Sequence, residues 1–155
     1  MIENDELEYA GFWIRVGASL IDTIILLMFT LPITMMVYGD AMWENESLLM
    51  GPADFLVNWV SPAVIVIVFW LYKSATPGKM ILGLKVVHSD TGEPLSVGQA
   101  IGRYLGYFVS MIPLFMGIFW VGFDKKKQGW HDKLVNSVVI RSKKTTDKVN
   151  FKENT

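Results

Sequence analysis

With 155 residues, 52% of them apolar, and a mean hydropathy of +0.35, the chain is too apolar for an ordinary soluble domain of its size. The net charge of −1 hides an asymmetry: the basic residues lie beside apolar runs, as positive-inside flanks do, which makes nucleic acid a poor reading, and with no cysteine the thiols give no guide to redox compartment. The apolar residues fall in three clusters, 14–38, 55–72 and 101–123, which reads as one small polytopic membrane domain over 9–141.

Residues 1–8 read as an acidic tail, with Glu3, Asp5, Glu6 and Glu8 and no base. No small-residue cleavage site follows the first apolar run, so the run is expected to stay in the mature protein. That run, 14–38, has roughly 25 residues at about 1.5 Å each, enough to cross a bilayer as a tilted helix. Within it Arg15, Ser19 and Asp22 stand at i, i+4 and i+7, on one face with Ala18. A carboxylate at that depth costs on the order of 2.5–3.5 kcal/mol on insertion scales. One reading is an ion or proton site, where desolvation raises the Asp22 pKa and a nearby Arg lowers it. The plainer reading is a fixed ion pair that holds helices in register.

The loop 39–54 is acidic (Asp40, Glu44, Glu46, Asp54), and the second run, 55–72, leads into a linker, 73–100. There Thr76 and Pro77 read as N-cap and first residue of a short helical turn through Lys79 and Leu82. TPGK alone is not a phosphate loop. Residues 83–87 read as a strand and Asp90-Thr91-Gly92 as a turn, not as an aspartic-protease triplet.

Pro113 divides the third cluster into halves of about 10 residues, near 15 Å each as helix, half a bilayer core. Gly98, Gly102, Gly106 and Ser110 form a stripe of small residues suited to close helix packing. Arg103, beside the stripe, is a second candidate partner for Asp22. Lys125, Lys126 and Lys127 suit anionic lipid headgroups. His131 titrates near neutrality, although an exposed His beside Asp132 more often makes only a local hydrogen bond. A second strand is expected at 137–141 and a disordered basic tail at 142–155.

Both the 73–100 linker and the C-terminal tail are basic, so three full spans would put one of them on the wrong side of the membrane. A hairpin at 101–123 resolves the conflict and lets the two strands meet. The expected fold is therefore an all-α membrane protein: two transmembrane helices, a helical hairpin or a kinked third span, and a small cytoplasmic β element. Both termini would lie in the cytoplasm. Trp13, Trp70, Tyr72 and Trp120 would mark the inner interface and Tyr38, Trp43 and Trp59 the outer one. No catalytic constellation, metal-ligand spacing or cofactor motif is visible, so no enzyme activity, metal or cofactor is expected.

YAGFWIRVGASLIDTIIL, SATPGKMILGLKVVHSDTGEPLSVGQAIGRYLG and FDKKKQGWHDKLVNSVVIR together resemble the RDD family of prokaryotic membrane proteins, named for one arginine and two aspartates. On that resemblance Arg15 is the arginine, Asp22 the first aspartate and Asp132 the second, with Asp124 the less favoured choice. Asn136 departs from the pattern, where similar proteins often have Gly. The resemblance implies a cytoplasmic-membrane protein whose role is unsettled. It carries suggestions of transport and, for some relatives, of sodium–proton exchange. Two functions follow as expectations. One is transport of a monovalent cation, a proton or a small solute through Asp22, in a homo-oligomer or with a membrane partner protein. The other is an interaction or scaffold module locked by Arg15, Asp22 and Arg103.

Overall fold

The structure is a computed structural model describing residues 7–44, 47 and 50–142. The elements run in chain order: β1 (Leu7–Tyr9), α1 (Phe12–Tyr38), α2 (Ala41–Glu44), α3 (Pro52–Phe55), a π-helical stretch (Leu56–Val60), α4 (Ser61–Lys73), α5 (Pro77–Ile81), β2 (Leu84–His88), α6 (Val97–Met111), α7 (Met116–Phe119), a 3₁₀ turn (Trp120–Gly122), α8 (Trp130–Leu134) and β3 (Ser137–Ser142). The fold is mostly helical with one small antiparallel sheet. Ser142, the first residue of the tail expected at 142–155, ends β3 instead, and residues 143–155 and 1–6 lie outside the described residues.

Two helical stretches are long and apolar enough to cross a membrane, 12–38 and 52–81. Both are longer than the runs 14–38 and 55–72, because helix continues beyond the apolar core of each. The second is irregular where Pro62 has no N–H to offer the Asn58 carbonyl, and there the backbone opens into the π-helical stretch. Ser61 Oγ takes up the Val57 carbonyl at 2.7 Å. α4 stops at Ser74, which is left-handed (φ 54°) and donates its N–H to the Trp70 carbonyl.

The sheet has the order β1-β3-β2, with both pairings antiparallel. Val86 faces Val139 and Leu84 faces Arg141, so the two runs expected as strands do pair. β1 was not expected. Leu7 and Glu8, read as acidic tail, form a strand whose Glu8 is ion-paired to Arg141. Asn136 is also explained: it enters β3 at φ 54°, a left-handed conformation that Gly and Asn tolerate best.

The sheet draws together the start of α1, the segment after α5 and the chain after α8. Segment 97–122 therefore begins and ends at the same end of the molecule. Its two halves, 97–111 and 116–122, are bent by 113°. At the bend Leu114 and Phe115 both take positive φ, 51° and 62°. Seven to fifteen helical residues span roughly 10–22 Å, too short for a bilayer core of about 30 Å. The bend excludes one straight span and fits both expected forms, a helical hairpin and a third span broken in the middle. The core under the sheet contains Ala10, Ala18, Trp70, Leu84, Val86, Leu95, Ala100 and Val139. Trp70 is thus a core residue, not the interfacial anchor its neighbours suggested, whereas Trp13 and Tyr72 are well exposed.

The small-residue stripe packs on α8 and the hairpin's second half. A Cβ on Gly102 would stand 2.9 Å from Val135 Cγ1, one on Gly106 3.0 Å from His131 Cα, and one on Gly117 2.7 Å from Ser110 Cα. Gly98 is the exception, with no heavy atom within 4 Å of its Cβ position. Gly117→Ala is therefore expected to destabilise the detergent-solubilised protein by about 1–3 kcal/mol through overpacking, with Gly98→Ala near neutral. Thermal unfolding of the two variants side by side checks this.

Candidate functional site

α8 is only five residues long, and its third residue, Asp132, turns back to accept the Gly129 N–H at Oδ2, 3.0 Å away. That capping role fixes a carboxylate at a position with no solvent exposure. Arg15 on α1 reaches Oδ2 through Nη2 at 2.5 Å and also donates from Nη1 to the Lys127 carbonyl at 2.9 Å. Arg103 on α6 reaches Oδ1 through Nη1 at 2.6 Å. Ser137 at the start of β3 completes the set. Its hydroxyl accepts from Arg103 Nη1 at 2.7 Å and lies 3.3 Å from Asp132 Oδ1. One carboxylate thus joins α1, α6, α8 and β3.

Burial alone would raise the Asp132 pKa, but Arg103 and Arg15 hold it well below the usual carboxylate range. Asp132 is a permanent charge. His131 is buried rather than exposed, with its ring stacked 4.0 Å from that of Tyr107. Burial pushes its pKa down to about 3, with Arg103, Arg15 and Lys79 adding to the effect and Asp132 only partly opposing it. It is therefore neutral at pH 7 and does not titrate near neutrality.

Asp22 has neither of its expected arginine partners. Thr76 Oγ1 donates to its Oδ2 at 2.5 Å, and the Gly78 N–H donates to Oδ1 at 2.6 Å. The carboxylate sits on the first turn of α5, whose N–H groups have no partner within their own helix. Gly78 is required there: a Cβ would stand 2.9 Å from Asp22 Cγ and overlap the Ala18 carbonyl. Ser19 is exposed and contributes only its carbonyl, accepting from Thr23. Arg15, Arg103 and Asp132 are thus brought together, while Asp22 is bound separately beside them. The lysine run is partly engaged: Lys126 Nζ donates to Ser89 and Lys127 Nζ to the Tyr9 carbonyl. Asp124 pairs with Lys133 at 2.5 Å, on the surface and away from the core network.

Two features went unread in the sequence. Lys79 is buried, with its ammonium 3.4 Å from Thr76 Oγ1. At the opposite end of the spans, buried Asp54 accepts from Asn58 Nδ2 at 2.6 Å, and Asn58 also bonds Thr34. Tyr38 accepts the Asp54 N–H at 2.9 Å. The one sequence signal for this second network was the polar Asn58 inside an apolar run.

Asp132→Asn leaves Arg15 and Arg103 buried beside a neutral amide, and is expected to cost about 3–5 kcal/mol. Asp22→Asn keeps an acceptor for Gly78 and should cost about 1 kcal/mol. Thermal unfolding in detergent orders the two. The depressed His131 pKa makes a separate prediction. Protonation favours the unfolded chain, so the His131 contribution is complete above pH 6.5, its ordinary value, and is lost as pH falls toward about 3. The lowered Asp132 pKa adds a further loss below 3.8. His131→Asn should flatten the pH 6.5–4 part of the stability profile (about pH 4 marking where carboxylates begin to protonate) and leave the more acidic part.

The chain is 34% identical over 149 residues to the uncharacterized protein YxaI of Bacillus subtilis, covering 84% of this chain and 96% of that one. It is 36% identical over 98 residues to the uncharacterized protein RP437 of Rickettsia prowazekii, covering 63% of this chain and 54% of that one. It is 26% identical over 153 residues to the uncharacterized membrane protein YteJ of Bacillus subtilis, covering 87% and 82%. No solved structure matches the chain significantly. The RDD family profile matches residues 9–136, which hold Arg15, Asp22 and Asp132, and the chain belongs to the RDD family.

Proposed function

We propose that the chain is a non-enzymatic interaction module of the bacterial cytoplasmic membrane, in which the buried charges lock the fold and the membrane-exposed faces dock a partner protein. The observation that carries this reading is that the family's ionic residues are all spent within the chain. Both Asp132 oxygens and both terminal nitrogens of Arg15 are engaged, and both Asp22 oxygens cap α5. A carboxylate that exchanges ions needs a state in which it is released, and these contacts oppose one. The expected scaffold lock of Arg15, Asp22 and Arg103 is in this reading a lock of Arg15, Arg103 and Asp132. Lys73, Lys85 and Lys125–Lys127 flank the apolar segments at the sheet end, which supports a cytoplasmic sheet and cytoplasmic termini. The same lysines would meet anionic headgroups.

Cation–proton exchange through Asp22 is the second reading, with a homo-oligomer enclosing the path. One observation favours it: Asp22 is only half-buried, on one of the two helices long and apolar enough to cross a membrane. Flux in proteoliposomes separates the two. The docking reading expects no sodium- or potassium-driven proton movement above empty vesicles, and a monomer or hetero-complex in mild detergent. Robust flux abolished by Asp22→Asn would overturn it.

A further inference from the structure

The inner core holds more buried positive charge and more hydrogen-bond donors than its own carboxylates and acceptors match. Arg15, Lys79 and Arg103 are all buried there. Two carboxylates answer them. Asp132 takes both arginines, and Asp22 is held by Thr76 and Gly78. Lys79 is left without an ion pair among the described residues, and its hydrogen bond is a long one, 3.4 Å to a hydroxyl already donating to Asp22.

The donors tell the same story. Arg103 Nε and Nη2 and Trp70 Nε1 are buried with no hydrogen-bond partner among the described residues. They lie together, for the Arg103 guanidinium carbon stands 5.1 Å from the Trp70 ring centroid and 6.0 Å from that of Tyr107. All three are donors and none can accept. The Tyr107 hydroxyl beside the guanidinium can serve one of them, which leaves the others and the Lys79 ammonium. Buried polar groups in native proteins are nearly always hydrogen-bonded, so this set calls for an acceptor from outside the chain. Relative exposure of Arg103 is 0%, of Trp70 1% and of Lys79 5%, which leaves no opening for a phosphate headgroup or an organic acid. The surplus positive charge favours an anion over water.

We propose that Arg103, Lys79 and Trp70 form a binding site for a small monovalent anion of the chloride class, between α4, α5 and α6. The site uses the Arg103 donor that Tyr107 leaves free, together with Trp70 Nε1 and the Lys79 ammonium, while Arg103 Nη1 holds Asp132. It holds whether the chain docks a partner or moves ions.

The test is thermal unfolding of the purified full-length protein in detergent, in sodium chloride against sodium gluconate at constant ionic strength. The expected result is a saturable, chloride-dependent rise in Tm, on the order of a few degrees. Bromide should reproduce the rise. It should vanish in Lys79→Met and shrink in Trp70→Phe, which keeps an aromatic ring over Arg103 but removes the N–H. If Lys79→Met does not fold, Trp70→Phe decides alone. Equal wild-type Tm in the two salts would overturn the site, and so would an unchanged chloride response in every variant that folds.

Discussion

Asp132 is a full negative charge with no exposure to solvent, and the inner half of the molecule is organised by what that charge requires. An unpaired buried carboxylate costs several kcal/mol, so its position is tenable only with cations delivered to both oxygens. Those cations come from far along the chain: Arg15 precedes it by 117 residues and Ser137, 5 residues on, adds a hydroxyl. Elements far apart in the chain are thereby held to one point. Tyr107 and Trp70 then pack around the guanidinium of Arg103, and His131 fills the remaining side as a neutral ring.

Asp22 answers a different need. α5 is one short turn between α4 and a strand, too short to be stable by itself. A carboxylate from α1 that accepts from the Gly78 N–H and the Thr76 hydroxyl holds that turn against the first helix, and the absence of a side chain at Gly78 permits the approach. The two family aspartates therefore do unlike work. One neutralises arginines and fixes the hairpin and sheet. The other caps a helix and fixes the exit from the second span. Together they make the sheet, the short helices and the membrane-length helices a single folded unit. The anion site is a consequence of the same economy, since the cations outnumber the carboxylates that hold them.

Much of the architecture was legible because it depends on local or compositional rules. Apolar run length located both spans, Pro113 located the hairpin bend, and alternating apolar residues located β2 and β3. The positive charges beside the runs required both flanks of 101–123 on one side, and the sheet brings those flanks together. The strand Leu7–Tyr9 was not legible. Three residues carry no periodicity, and their strand state exists only because β3 offers a free edge. Trp70 was misread for a related reason: position at the end of a span favours an interfacial ring, and only Arg103 and the sheet overhead make it core.

The site divides along the same line. Residue types and their improbable placement in apolar segments marked Arg15, Asp22 and Arg103 as important, and motif resemblance added Asp132. The partners could not follow from helical spacing. Arg15 and Asp22 share a face, and that geometry suggests a pair, but a carboxylate takes whichever donors are nearest in three dimensions. For Asp22 these are a hydroxyl and a backbone N–H 54 and 56 residues away. For Asp132 they are two guanidinium groups on separate helices. The sequence by itself determined that charges would be buried in this membrane domain, since the apolar runs leave them no aqueous place. Which charge meets which, and that one cation is left over, was decided only when the hairpin folded back onto the sheet.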